Sequence, residues 1–206
     1  FTRSPYNVVH VTLPESDEEA GRLYREWLAT GILEQDDEPA TWLLVEHYVG
    51  PDGVGRERRG VVVSLGAEPY ETRRVLPHER THAGIRDERL SLLRATRVQP
   101  EPIFLLLDGP LPLELPDRPP ELQVDGARLW RLDDFDLGPL EERGLLIADG
   151  HHRYECAVAL GAEPGWEGAR IMALLVATDD PGLHVFPTHR VFTGRPDLAA
   201  LREGEQ

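Results

Sequence analysis

The most informative stretch of the sequence is IADGHHRYE, residues 147–155. An apolar run ends, Asp149-Gly150 makes a tight turn, and a helix begins at His151, His152 and Arg153. The first turn of a helix leaves backbone N–H groups unpaired, and its macrodipole places about half a positive charge there. Gly150 has no Cβ to hold a phosphate away from the backbone. His151, His152 and Arg153 add donors, and an arginine grips phosphate oxygens in pairs. Asp149, at the strand end, suits one carboxylate ligand of Mg²⁺ whose remaining shell is phosphate and water. The same residues also describe an ordinary capped helix, with Asp149 as the cap and solvated histidines.

A second cluster is His78-Glu79-Arg80-Thr81-His82, which fits H-E-x-x-H, the spacing that sets two zinc-binding histidines on one helical face. Pro77 would start a helix at the motif instead of carrying it mid-span, and Arg80 puts a permanent cation inside it. No third ligand follows at metzincin spacing; Glu88 and Glu101 are the nearest candidates. Three readings stand: a zinc hydrolase, a solvated turn, or one site shared with DGHHR. In the shared site, His78 binds substrate and Glu79 is the general base for a substrate hydroxyl, or a ligand of magnesium or substrate. Such a base is worth about 10²–10⁴ in rate. His189-Arg190, after Pro187, forms a further basic pair near a strand end, suited to anion or substrate binding. His10 and His47 lie in strand-like apolar contexts and read as structural. Trp27 and Trp42 read as core, Trp130 and Trp166 as candidate pocket walls, and residues 86–89 as a solvated helix face.

Composition narrows the chemistry. The chain has 206 residues, 40% of them hydrophobic and 29% charged, which suits a single domain over 1–206 with a real core. Its 22 basic residues against 37 acidic ones give a net charge of −15, which argues against nucleic-acid and anionic-membrane partners. Every basic residue is arginine. A Walker-type lysine, a Schiff base and a lysine general base are therefore excluded. The single cysteine, Cys156, rules out an internal disulfide and suits a reducing compartment, so the expected location is the cytoplasm. No apolar run reaches the roughly 18 residues of a membrane span.

Several elements must position these side chains. Ser16 and Glu19 read as a capping box before a helix carrying Leu23, Tyr24, Trp27 and Leu28, stopped at Gly31. Residues 41–49 and 59–65, joined through Pro51-Asp52-Gly53, read as a β-hairpin. A helix is expected over 86–97, and strands over 103–107, 127–132, 145–149, 169–177 and 183–192. The helix after Gly150 should run over 151–160, with Cys156 on its packed face. The proline-rich segment 108–126 reads as a surface loop. The fold class is α+β: a mixed sheet with flanking helices, a β-hairpin and a strand-turn-helix phosphate site.

DGHHRY at 149–154 resembles the phosphate-binding box of the ParB/sulfiredoxin-like fold, which includes the ADP-dependent free-serine kinases. A closer resemblance is to the family catalogued as domain of unknown function 1015. It is carried by SPYNVVHVTLPE (4–15), HERT (78–81), RLSLLRATRVQPEPIFLL (89–106), IADGHHRYECA (147–157) and PTHR (187–190), which together span nearly the whole chain. Members of that family are longer at both ends, so the resemblance implies a fragment of a longer protein. It also implies a nucleotide-phosphate site at 149–153, with Mg²⁺ and ATP or ADP, and phosphoryl transfer to a small hydroxyl-bearing metabolite. Two alternatives remain: a non-catalytic nucleotide-binding module, and zinc hydrolysis through 78–82. Sulfiredoxin chemistry is not expected, because His151 stands where the reactive cysteine would be. Chromosome partitioning is not expected either, for want of a basic face or helix-turn-helix.

Overall fold

IFLLL and RIMALLVA carry almost no polar alternation, the mark of strands covered on both faces. They become β4 (Ile103–Leu107) and β8 (Arg170–Ala177), parallel neighbours near the centre of the sheet. In the computed structural model, which describes residues 4–79, 83–166 and 168–187, β8 runs antiparallel to β2 (Gly55–Gly66). β2 forms the expected hairpin with β1 (Thr41–Val49). β6 (Ala127–Leu132) and then β5 (Leu122–Val124) extend the sheet beyond β1. On the opposite side, β4 pairs antiparallel with β7 (Leu145–Asp149), and β7 pairs in parallel with the two-residue edge strand β3 (Val75–Leu76). The order is β3-β7-β4-β8-β2-β1-β6-β5, a mixed eight-stranded sheet in an α+β fold.

Four α-helices accompany it among the described residues: α1 (Val9–Thr12), α2 (Asp17–Ala29), α3 (Ala83–Thr96) and α4 (His151–Gly161). Ser16 caps α2 by accepting from Glu19 N at 3.2 Å, and Gly31, at φ +71°, turns the chain away after it. One sheet face buries Ile103, Leu105, Leu107, Ile147, Val61, Ala173 and Leu175, and α4 lays Tyr154 and Ala157 on it. The far side of α4 meets α3 through Cys156, Leu160 and Leu90. Gly21 of α2 lies so near α3 that a Cβ would come within 2.4 Å of Ala95 O. The helices therefore stack outward from the sheet, each fully buried leucine or isoleucine contributing about 1.5–3 kcal/mol.

Several expectations are corrected. His10 lies in α1, not in a strand. The proline-rich segment contains β5, which turns into β6 through Asp125 (φ 34°) and Gly126 (φ 86°), the positive-φ pair of a tight hairpin. Residues 183–187 form no strand, and the rest of the expected strand, 188–192, lies outside the described residues. The neighbouring strands β2 and β8 are already paired on both sides, so neither has an edge to offer. Trp130 is core, packed with Leu43 and Val45 and donating from Nε1 to Arg118 O at 2.9 Å, while Trp42 is only half-buried. Trp166, by contrast, does line a surface cavity, with Leu93, Leu160 and Ala169 and beneath the Arg97 guanidinium. No described helix is long and apolar enough to cross a membrane.

Tyr154 ties α4 to the segment feeding β3. Its hydroxyl donates to Glu68 O at 2.7 Å and accepts from Glu68 N at 3.2 Å. Its ring stacks on Tyr70, centroids 5.5 Å apart, in the 3-10 turn before β3. Burial raises both tyrosine pKa values, so each hydroxyl stays a donor. Tyr154→Phe strips the partner from two Glu68 backbone groups. It is expected to cost about 1–3 kcal/mol in urea unfolding. It should also speed hydrogen exchange at Val75 more than at Leu105, which checks that the loosening is local to β3.

Candidate active site

β3 and β7 run parallel in the register Val75↔Leu145 and Leu76↔Leu146. β3 ends beside Leu146, three residues before β7 ends at Asp149, and the chain after β3 runs on alongside β7 toward the start of α4. The residues after β3 are Pro77, His78 and Glu79; those after β7 are Gly150 and His151. Two segments more than 70 residues apart in sequence therefore meet at one corner. Parallel strand ends beside a helix N-terminus are a common place for a ligand site.

Local bonds fix the corner. The His78 backbone N–H donates to His151 Nε2 at 3.3 Å. An imidazole nitrogen that accepts carries no proton, so the proton of His151 is assigned to Nδ1. Nδ1, the protonated nitrogen, faces Glu79 Oε1 at 3.2 Å. His78 Nδ1 lies 2.6 Å from Ile147 O, which can only accept, so this nitrogen also carries a proton and Nε2 is left facing outward as an acceptor. The two rings meet edge-on at 4.5 Å. The His151 side chain is 2% exposed and that of Glu79 55%. Burial, reinforced by His78, lowers the His151 pKa below the ordinary histidine value, against the opposing pull of Glu79, Asp149 and Glu155. His151 is thus a buried imidazole whose protonated nitrogen faces an exposed carboxylate.

The DGHHR turn differs in detail from its sequence reading. Gly150 is the N-cap of α4 at φ +97° and supplies no side-chain cap, in contrast to Ser16 of α2. Its missing Cβ does not open a lane for phosphate on that side. Ile103 occupies the space, and a Cβ would come within 2.5 Å of Ile103 Cγ2. Arg153 turns to neighbouring acceptors: Nη2 donates to Asp149 Oδ2 at 2.8 Å, and Nη1 to Pro102 O at 3.0 Å and to Glu101 O and Oε2 at 3.2 Å. It clamps the end of β7 to the start of β4. Glu101, considered in the sequence as a zinc ligand, is part of this clamp. His152 is half-buried at the second position of α4.

His78, Glu79 and His151 each offer a ligand atom, and these atoms lie within 4.8 Å of one another. His78 and Glu79 sit in a bend, not a helix, so the first half of the H-E-x-x-H motif lacks the helical face that zinc spacing presumes. His82, His189 and Arg190 lie outside the described residues. Sequence reasoning missed the contributions of Tyr154, Glu68 and the Ile147 carbonyl. None has a local signal, since each acts through a contact between distant segments.

The chain matches the family described as "Protein of unknown function (DUF1015)" over residues 1–204, and it belongs to that family. No curated protein and no solved structure is detectably similar to it.

Gly150→Ala combines a left-handed backbone with a collision at Ile103, whereas Gly53→Ala, at φ +75° in an open turn, meets only backbone strain. Gly150→Ala is expected to cost about 1–3 kcal/mol more than Gly53→Ala in urea unfolding. Equal costs would show that Ile103 does not dictate this glycine.

Proposed function

We propose that the chain binds the phosphates of ATP or ADP at the N-terminus of α4 and transfers a phosphoryl group to a small hydroxyl-bearing metabolite. The observation that carries this reading is the Glu79 carboxylate, exposed but facing the buried Nδ1–H of His151, beside a helix N-terminus without a side-chain cap. The resemblance of DGHHRY to the phosphate box of free-serine kinases supports the reaction class, and with it a ParB/sulfiredoxin-like arrangement of the sheet.

In this mechanism the first-turn amides of α4, with His152, receive the phosphate oxygens. A helix N-terminus contributes about 0.3–1 kcal/mol to a nearby anion, and the net charge of −15 is damped beyond about 8 Å at physiological salt. Asp149 is exposed, with Oδ2 on Arg153, which leaves its other oxygen for one Mg²⁺ ligand. Bound there with nucleotide, magnesium supplies charge neutralisation on the phosphates. Glu79 takes the proton of the acceptor hydroxyl as that oxygen bonds to phosphorus and the bond to the departing nucleotide breaks. His151 keeps the carboxylate aimed, and His78 Nε2 accepts from a further acceptor group. Catalysis is then mostly positioning and electrostatics, as phosphoryl transfer requires.

One observation favours a non-catalytic nucleotide-binding module as the second reading. The clamp already engages Arg153, the strongest cation at the turn, so phosphate charge falls to weaker donors. Calorimetric titration with ATP and ADP, with and without Mg²⁺, followed by a turnover screen of hydroxyl acceptors, separates the two. Glu79→Gln is expected to lower turnover by about 10²–10⁴ while nucleotide affinity stays within about twofold. Asp149→Ala should abolish the magnesium dependence. Nucleotide binding without turnover supports the module, and no binding under any condition overturns both.

A further inference from the structure

Several acidic groups in this chain face arginine: Glu46 pairs with Arg58, Glu57 with Arg59, Glu68 with Arg74, and Asp149 with Arg153. Glu79 has a different contact: among the described residues its ion-pair partner is the His151 ring, whose single proton the His78 N–H assigns to Nδ1. A carboxylate at this corner thus faces an imidazole at Oε1, and the imidazole of His78 stands within the same cluster. Both groups already have the outer bonds that metal ligands need. His78 is oriented by donating Nδ1–H to Ile147 O, which turns Nε2 outward. Glu79, 55% exposed, meets His151 at Oε1, which leaves Oε2 as its second ligand oxygen. Metal-binding histidines almost always donate their second nitrogen to a carbonyl or carboxylate, and ligating carboxylates are themselves hydrogen-bonded.

We propose that His78 Nε2 and Glu79 Oε2 bind a divalent cation of intermediate softness, Zn²⁺ or Mn²⁺, with His151 as the positioning residue behind them, and that occupancy silences Glu79 as a base. One imidazole and one carboxylate select this class over Mg²⁺ or Ca²⁺, which prefer oxygen alone. Water completes the shell. The site differs from the H-E-x-x-H zinc reading in its chemistry. There the glutamate is a base and not a ligand; here it is a ligand. Cation binding stands independently of the nucleotide reading, whereas the inhibitory consequence rests on it.

The test uses the full chain after treatment with a chelator, titrated with ZnCl₂ or MnCl₂ alone by calorimetry, with circular dichroism to confirm that each variant folds. The expected result is one equivalent per chain, weakened at least tenfold in His78→Ala and in Glu79→Gln, and about 10–100-fold in His151→Gln. Zn²⁺ should also slow any turnover seen with Mg²⁺ and nucleotide. No binding overturns the site. So does binding kept in Glu79→Gln but lost in His82→Ala, the pattern of a helical H-E-x-x-H. Zinc bound as described without nucleotide binding upholds the cation site and removes the phosphoryl-transfer reading; nucleotide binding without zinc does the reverse.

Discussion

The candidate site depends on a parallel pairing only two residues long. β3 meets β7 over Val75 and Leu76, and that short ladder fixes where His78 and Glu79 emerge relative to Gly150 and His151. A pairing this brief has little stability of its own, and the surroundings hold it. Leu145 N donates to Arg74 O at 3.0 Å just ahead of the ladder. Tyr154 grips Glu68 by both backbone groups upstream, and Val75 is buried in the main core. His78 then closes the corner by bonding to both Ile147 O and the His151 ring. The site is thus a continuation of the sheet edge by side-chain and backbone bonds, not a loop laid over it.

Electrostatics follow from the same arrangement. With a net charge of −15 and arginine as the only strong cation, the chain spends many of its guanidinium groups neutralising its own carboxylates. Most such surface pairs contribute about 0–1 kcal/mol and serve to arrange charge more than to stabilise the fold. At the corner the pattern changes. Arg153 turns toward Asp149, Glu101 and Pro102, away from the role of a phosphate grip, while Glu79 faces a buried imidazole. The corner therefore combines a helix N-terminus with an outward carboxylate, a pairing of electrophilic and basic character within a small space.

Much of the architecture was legible because it is local. The continuous apolar runs of β4 and β8, the hairpin of β1 and β2, the Ser16 cap and the Asp-Gly turn into α4 each state their structure within a few residues. The failures have physical causes. His10 follows apolar neighbours that suit strand or helix equally, and a four-residue helix has no room to show a period. Asp125-Gly126 is a strong hairpin signal, but the surrounding prolines hid it. Leu183–Phe186 has strand composition, but the neighbouring strands β2 and β8 are already paired on both sides. At the site, the sequence offered His78 and Glu79 as sharing one site with the DGHHR turn only as one of three readings, with no contact to join them. Their union depends on the pairing of β3 with β7, which no local pattern encodes. Gly150 was read correctly as a turn but for only part of the reason, since the side chain that demands it, Ile103, lies 47 positions earlier.

The central claim is that His151 is buried with its proton on Nδ1, where it faces Glu79. Nitrogen-15 NMR of the imidazole rings, through two-bond proton–nitrogen couplings near neutral pH, tests this directly. The account predicts that His151 shows a protonated Nδ1 and an unprotonated Nε2, and that Glu79→Gln shifts the Nδ1 resonance selectively. A proton on Nε2, or a His151 ring that titrates like an exposed histidine, would contradict it.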